Sequence, residues 1–177
     1  MSLLGGNRDP LANPEPLIER VYLYVAYRLG PGPDAEDVTS EVFERAVRYR
    51  GSFDPRKGDF LAWLFGIARR LIGEVASTRS TAPLELVDAI APGDLAEDAA
   101  RRLTIATAVA GLEDRDRDLI ALRYGADLTA RQIGDVLGMA THAVEVALHR
   151  ALARLRASLV EGTDEEAPGQ VGRSVRI

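Results

Sequence analysis

The 177-residue sequence predicts an all-α fold of two small helical domains joined by a linker. Three features carry this. Apolar residues recur at three- and four-residue spacing in successive blocks, the period of one helix face. Breaks rich in Pro and Gly separate those blocks. Near the end, a short capped segment, a glycine and a long amphipathic block follow one another, which is the helix-turn-helix order. No convincing strand, internal repeat or low-complexity tract is visible.

Residues 1–16 hold Gly5, Gly6, Pro10, Pro14 and Pro16 and read as a flexible arm. The first domain covers 17–80. Leu17, Val21, Tyr24, Val25 and Leu29 form one stripe, stopped by Gly30-Pro31-Gly32-Pro33. A second helix over 34–49 turns Val38, Val42, Phe43, Ala46 and Val47 inward. Its acids come first (Asp34, Glu36, Asp37) and its arginines last (Arg45, Arg48), as the helix dipole favours. A third helix over 59–77 carries Phe60, Trp63, Leu64, Ile67, Leu71 and Val75. Residues 81–98, with Pro83, Pro92, Gly93 and scattered acids, read as the linker.

The second domain covers 99–160. Leu103, Ile105, Ala106, Val109 and Leu112 suggest one helix, and 115–124 a second. Thr129-Ala130-Arg131-Gln132 is a capping-box pattern ahead of a short helix over 130–137. Gly138 permits the sharp turn. A long helix from Thr141 then aligns Val144, Leu148, Leu152, Leu155 and Leu159, leaving Arg154 and Arg156 as solvated charges. Residues 161–177 read as an acidic flexible tail.

Composition narrows the function. Hydrophobic residues make up 46%, too many for a disordered chain. No apolar run approaches the roughly 18–20 residues of a membrane helix, and the start MSLLGGNRDP predicts no secretory leader. The absence of Cys excludes disulfides and thiolate zinc sites. His142 and His149 lack a third ligand nearby, so no metal site and no cofactor are expected. The net charge of −5 comes from the linker and tail. Residues 17–80 hold ten Lys/Arg against nine Asp/Glu, and 102–160 hold eight against seven. A phosphate-cradling loop and a nucleophile–base pair are both missing, so an enzyme is not expected.

Three stretches resemble the extracytoplasmic-function (ECF) group of bacterial RNA polymerase sigma factors. Asp34-Ala35-Glu36-Asp37-Val38-Thr39-Ser40-Glu41-Val42-Phe43 is similar to region 2.2 of that family. Phe53-Asp54-Pro55-Arg56-Lys57-Gly58-Asp59-Phe60, running on through Trp63 to Arg70, is similar to its promoter-melting regions. Residues 112–159, with Leu122-Arg123-Tyr124 ahead of the helix-turn-helix, are similar to region 4. The resemblance covers about 17–160, with both domains in order.

The resemblance implies a cytoplasmic factor that binds core RNA polymerase and directs it to promoter DNA. Glu36, Asp37 and Glu41 would dock on the clamp helices of the largest subunit; without a partner, the same acids suit a helix start. The flap would be a second polymerase contact. Phe53, Lys57, Phe60, Trp63, Arg69, Arg70 and Arg79 would melt and hold the −10 element, since unstacked bases need aromatic surfaces and phosphates need cations. Phe60 and Trp63 equally suit a plain core. Thr129, Arg131, Thr141, His142, Glu145, Val146, His149 and Arg150 would meet the −35 element, as the start of a recognition helix enters the major groove. An anti-sigma partner that wedges between the domains is also a family expectation.

The sequence departs from the family at Val144-Glu145-Val146-Ala147, where basic residues are usual. Gly66, Arg70, Glu74 and Ser77-Thr78 also depart from the usual pattern of the third helix. Weak intrinsic DNA binding follows, with specificity expressed inside the polymerase complex. Two other readings stand beside this one. A sigma-like interaction protein would use Val146 and Ala147 as a protein contact. A response-regulator activator would require strands in 17–80, and none is visible.

Overall fold

The computed structural model describes residues 10–56, 58–79, 105 and 108–164. The linker expected at 81–98, most of the N-terminal arm, Lys57 and the end of the tail lie outside them, as does the side chain of Arg79. Every regular element among the described residues is helical.

Helix α1 spans Glu15–Leu29 and opens two residues ahead of the stripe, because Pro16, which has no N–H, suits a first turn whose N–H groups lack intrahelical acceptors. Its end falls at Gly30, whose φ of 88° a side chain would resist. Helix α2 spans Pro33–Tyr49 and also carries a proline in its first turn. It buries Ala35, Val38, Thr39, Val42 and Ala46. Val47, expected on the inner face, is 58% exposed instead. It follows Ala46 by one residue, about 100° around the helix, and so leaves the buried stripe. A short 3-10 turn, Arg50–Ser52, leads into the loop before α3, Phe60–Arg79.

Helix α3 is buried on two sides. Leu64, Phe65, Ala68, Leu71 and Ile72 form its core face, while Phe60, Trp63, Ile67 and Val75 are half-buried. Phe65 stands edge-on to Tyr24 of α1, with ring centroids 5.4 Å apart. Arg45 ties α2 to α3: its guanidinium meets Glu41 at 2.7 Å and Glu74 at 3.2 Å.

The second domain begins with Val109 and Leu112, which pack with Ile120 and Ala151. Helix α4, Asp114–Ile120, widens into a π turn at Ala121–Gly125. There the Ala126 N–H reaches back five residues to the Ala121 carbonyl at 2.9 Å. Helix α5, Ala130–Leu137, carries the capping box expected at Thr129 and Gln132. Gly138 closes it in the left-handed conformation, φ 67°. Helix α6 spans Thr141–Asp164, so the first four residues assigned to the tail continue the helix. Arg154 is not a free solvated charge: its Nε donates to the buried carboxylate of Asp116.

The two domains dock face to face. One continuous core joins Val21, Tyr24 and Val25 of α1 and Leu64 and Phe65 of α3 to Leu119, Leu122, Leu128, Ile133 and Val144. Each large side chain fully buried there is worth about 1.5–3 kcal/mol relative to exposure.

Candidate nucleic-acid interface

The acids at the start of α2 divide into two kinds. Glu36 and Asp37 are exposed, on turns that the dipole already favours for negative charge. Glu41 is half-buried and engaged by Arg45. Hydrogen bonds to Glu41 and then Glu74 raise the Arg45 guanidinium above its ordinary range.

The loop before α3 brings three aromatics together. Phe53 meets Phe60 edge-on at 5.4 Å and Trp63 at 5.6 Å, and Phe60 meets Trp63 at 5.5 Å. All three are half-buried, so they form a packed platform with one side open. The backbone N–H of Arg56 donates to Asp54 at 3.0 Å and shapes the turn. Beside the platform lies an open cleft of about 320 Å³. Ser52, Asp54, Gly58, Asp59 and Ala62 line it, and Asp135 of α5 faces it from the other domain.

Arg69 and Arg70 are exposed about two turns further along α3. Arg69 is nonetheless engaged: its Nε donates to Asp118 of α4 at 2.7 Å. The other Asp118 oxygen accepts from the Tyr24 hydroxyl at 2.6 Å. Arg28 Nε stands 3.6 Å from that oxygen, a charge attraction without a hydrogen bond. Burial first, then the Asp118 charge, push the Tyr24 phenol well above its ordinary range. Tyr24 is therefore a neutral donor near neutral pH.

On α6, Thr141, His142, Glu145, Val146, His149 and Arg150 are all exposed. Their spacing of one, three and four residues sets them on one face, opposite the buried Val144 and Ala151. Arg131 on α5 is exposed and lines a second cleft with Arg56 and Asp59. Thr129 is committed locally. Its hydroxyl accepts from the Gln132 N–H at 3.3 Å, and the Gln132 carbonyl oxygen accepts from the Thr129 N–H at 3.0 Å.

Comparison with known proteins agrees with this layout. The Sigma-70 region 2 family matches residues 15–78, and the Sigma-70 region 4 family matches residues 108–157. The ECF RNA polymerase sigma factor SigW of Bacillus subtilis is 30% identical over 173 residues, 87% of this chain and 91% of SigW. The chain belongs to the ECF RNA polymerase sigma factors. A second relative, the ECF sigma factor BldN of Streptomyces coelicolor, is 32% identical over 145 residues, and the match spans 55% of its length.

Two solved structures share the fold. The sigma factor RpoE, in complex with the anti-sigma factor NepR from Bartonella quintana, superposes with a TM-score of 0.66 at 20% identity. That match covers 83% of this chain and 94% of RpoE. CnrH in complex with the cytosolic domain of CnrY gives 0.58 at 24% identity, covering 89% and 86%.

Within this sigma factor, α1 to α3 are region 2 and α4 to α6 are region 4. The α6 residues singled out in the sequence lie on exposed surface, and Phe53, Phe60 and Trp63 are half-buried together. Sequence reading missed the Tyr24–Asp118–Arg69 network. The available signal was a tyrosine on the apolar stripe of α1, since a buried phenol needs a partner.

Proposed function

We propose that this sigma factor directs core RNA polymerase to promoters through two separate DNA contacts. The exposed acids Glu36 and Asp37 dock on a basic surface of the polymerase clamp, and Glu41 shapes that surface through Arg45. The Phe53–Phe60–Trp63 platform takes an unstacked base of the −10 strand, while Lys57, Arg69, Arg70 and Arg79 hold its phosphates. Thr141, His142, Glu145, Val146, His149 and Arg150 face the −35 duplex in the major groove, and Arg131 holds a flanking phosphate. The Thr129 hydroxyl acts through the α5 cap. The protein binds and positions, works in the cytoplasm beside its polymerase, and is open to capture by an anti-sigma protein.

The exposed face of α6, set behind a capped α5 and the Gly138 turn, carries this reading. The test is reconstitution with core polymerase and mapping of transcript 5′ ends across promoter fragments from the source genome. Defined starts that share one pair of upstream motifs are expected. A second reading draws on Val146, which is 48% exposed beside the acidic Glu145. A partner-binding role for that face predicts polymerase binding without initiation.

A further inference from the structure

Residues 141–149 open α6 and carry three ionisable side chains, His142, Glu145 and His149. Arginine enters the helix only at Arg150. All three are exposed, and none makes a hydrogen bond or ion pair among the described residues. At ~100° per residue they share an arc of about 60°, with the two imidazoles about two turns apart. Glu145 lies between them, three residues after His142 and four before His149, the spacings at which helix side chains meet. The imidazoles therefore set the sign of this end of the helix. With both neutral it carries the single negative charge of Glu145; with both protonated it carries a single net positive charge.

Charges on the neighbouring elements are directed elsewhere. Helices α4 and α5 pack against α6. On α4, Asp114 holds Arg28, Asp118 holds Arg69, and Asp116 holds Arg154 further along α6. Arg117 donates to the Ala110 and Leu112 carbonyls, and Glu113, just ahead of α4, acts on Arg154. Arg115 reaches the Met139 sulfur at 3.8 Å, in the turn before α6. On α5, Arg131 and Asp135 line the cleft with Arg56 and Asp59. Over residues 141–160, Glu145 is the only acid of α6.

Histidine changes its charge between about pH 5 and 8. The neutral ring donates one N–H; the protonated ring donates two and adds a cation. A phosphate beside it favours the protonated form, so binding takes up protons and, reciprocally, added protons strengthen binding. While both rings are neutral, Glu145 repels the same phosphates.

We propose that His142, Glu145 and His149 make binding of the −35 duplex proton-linked. Both imidazoles take up protons as they meet phosphate, and Glu145 weakens binding while they are neutral. This sigma factor then holds its upstream element more tightly as pH falls from about 8 to 6. The acid at 145, where the family usually has a cation, makes the sign of the face depend on pH. The proposal rests on α6 facing the −35 duplex.

Anisotropy of a Cy5-labelled duplex of mixed sequence, titrated with the full chain at low salt, tests it. The parent should bind about tenfold more tightly at pH 6 than at pH 8, with a salt slope steeper by about 1.8. His142→Gln with His149→Gln should remove the pH dependence and keep the weak pH 8 affinity. His142→Arg with His149→Arg should bind tightly at both pH values. Arg150→Ala, on the same face, should weaken binding at both, and circular dichroism confirms that each variant is folded.

Equal parent affinity at pH 6 and 8, with a loss from Arg150→Ala, overturns the proton linkage and leaves α6 on the duplex. A pH dependence that survives the double Gln change overturns its assignment to these histidines. Binding indifferent to the Gln, Arg and Ala variants alike overturns both the linkage and the placement of α6 on DNA.

Discussion

Tyr24 donates its phenolic proton to Asp118 across 94 residues of sequence and across the seam between the two domains, at 2.6 Å. This bond joins α1 of region 2 to α4 of region 4. Because burial and the Asp118 charge raise the Tyr24 pKa, the protonated phenol is the form the folded chain prefers. The stabilisation is complete below the unfolded value of about 10 and is lost as pH rises above it toward the folded value. Thermal melts of the wild-type chain should fall steeply above pH ~10. Tyr24→Phe should be less stable near neutrality by about 1–3 kcal/mol, because it strands a buried acceptor. It should also lose part of the alkaline dependence. Identical slopes for the two chains would contradict this.

Gly134 lies where α5 passes the turn, and a Cβ there would stand 2.5 Å from the Met139 carbonyl oxygen. Backbone on both sides leaves no flexible atom to yield. Gly134→Ala should destabilise region 4 by about 1–3 kcal/mol despite the better helix propensity of Ala. Chemical denaturation followed by circular dichroism measures it.

The Thr129 hydroxyl serves the α5 cap. Thr129→Ala should cost about 1 kcal/mol of stability and leave the salt slope of duplex binding unchanged. Arg131→Ala should do the reverse, with little change in stability and a shallower slope by about 0.9. A changed slope for Thr129→Ala would assign its hydroxyl to a phosphate.

Glu145 is exposed in the first turns of α6, on the face proposed to meet the −35 duplex. Glu145→Arg should strengthen duplex binding by isolated chain and steepen the salt slope by about 0.9 if the new cation reaches a phosphate. Unchanged binding would place Glu145 away from DNA.

Local features were legible in the sequence where one residue's chemistry decides the backbone. The Thr129–Gln132 box and the Gly138 turn act within a few residues, whereas Pro16 and Pro33, read as arm and stop, proved to lie in the first turns of α1 and α2. The exposed face of α6 was legible for the same reason as the box and the turn, since a period of 3.6 assigns it once the buried stripe is known.

What escaped depends on partners far along the chain. Phe65 was missed because periodicity assumes one buried face, whereas α3 is covered on two sides. Asp116 and Asp118 sit in a run of alternating charges that gives no local sign of burial, yet Arg154 and Arg69 reach them over 38 and 49 residues. Docking of the domains escaped with them, since its ties join residues as distant as Arg20 and Asp127.

Transcription start mapping with core polymerase, comparing the parent chain with Arg69→Ala and with a chain doubly substituted at His142 and His149, tests the two-contact promoter reader most directly. The parent should give defined starts behind one pair of motifs. Arg69→Ala should lose open complexes, and the α6 substitutions should relax the upstream motif alone. Polymerase binding with no defined start, or starts indifferent to both sets of substitutions, would contradict it.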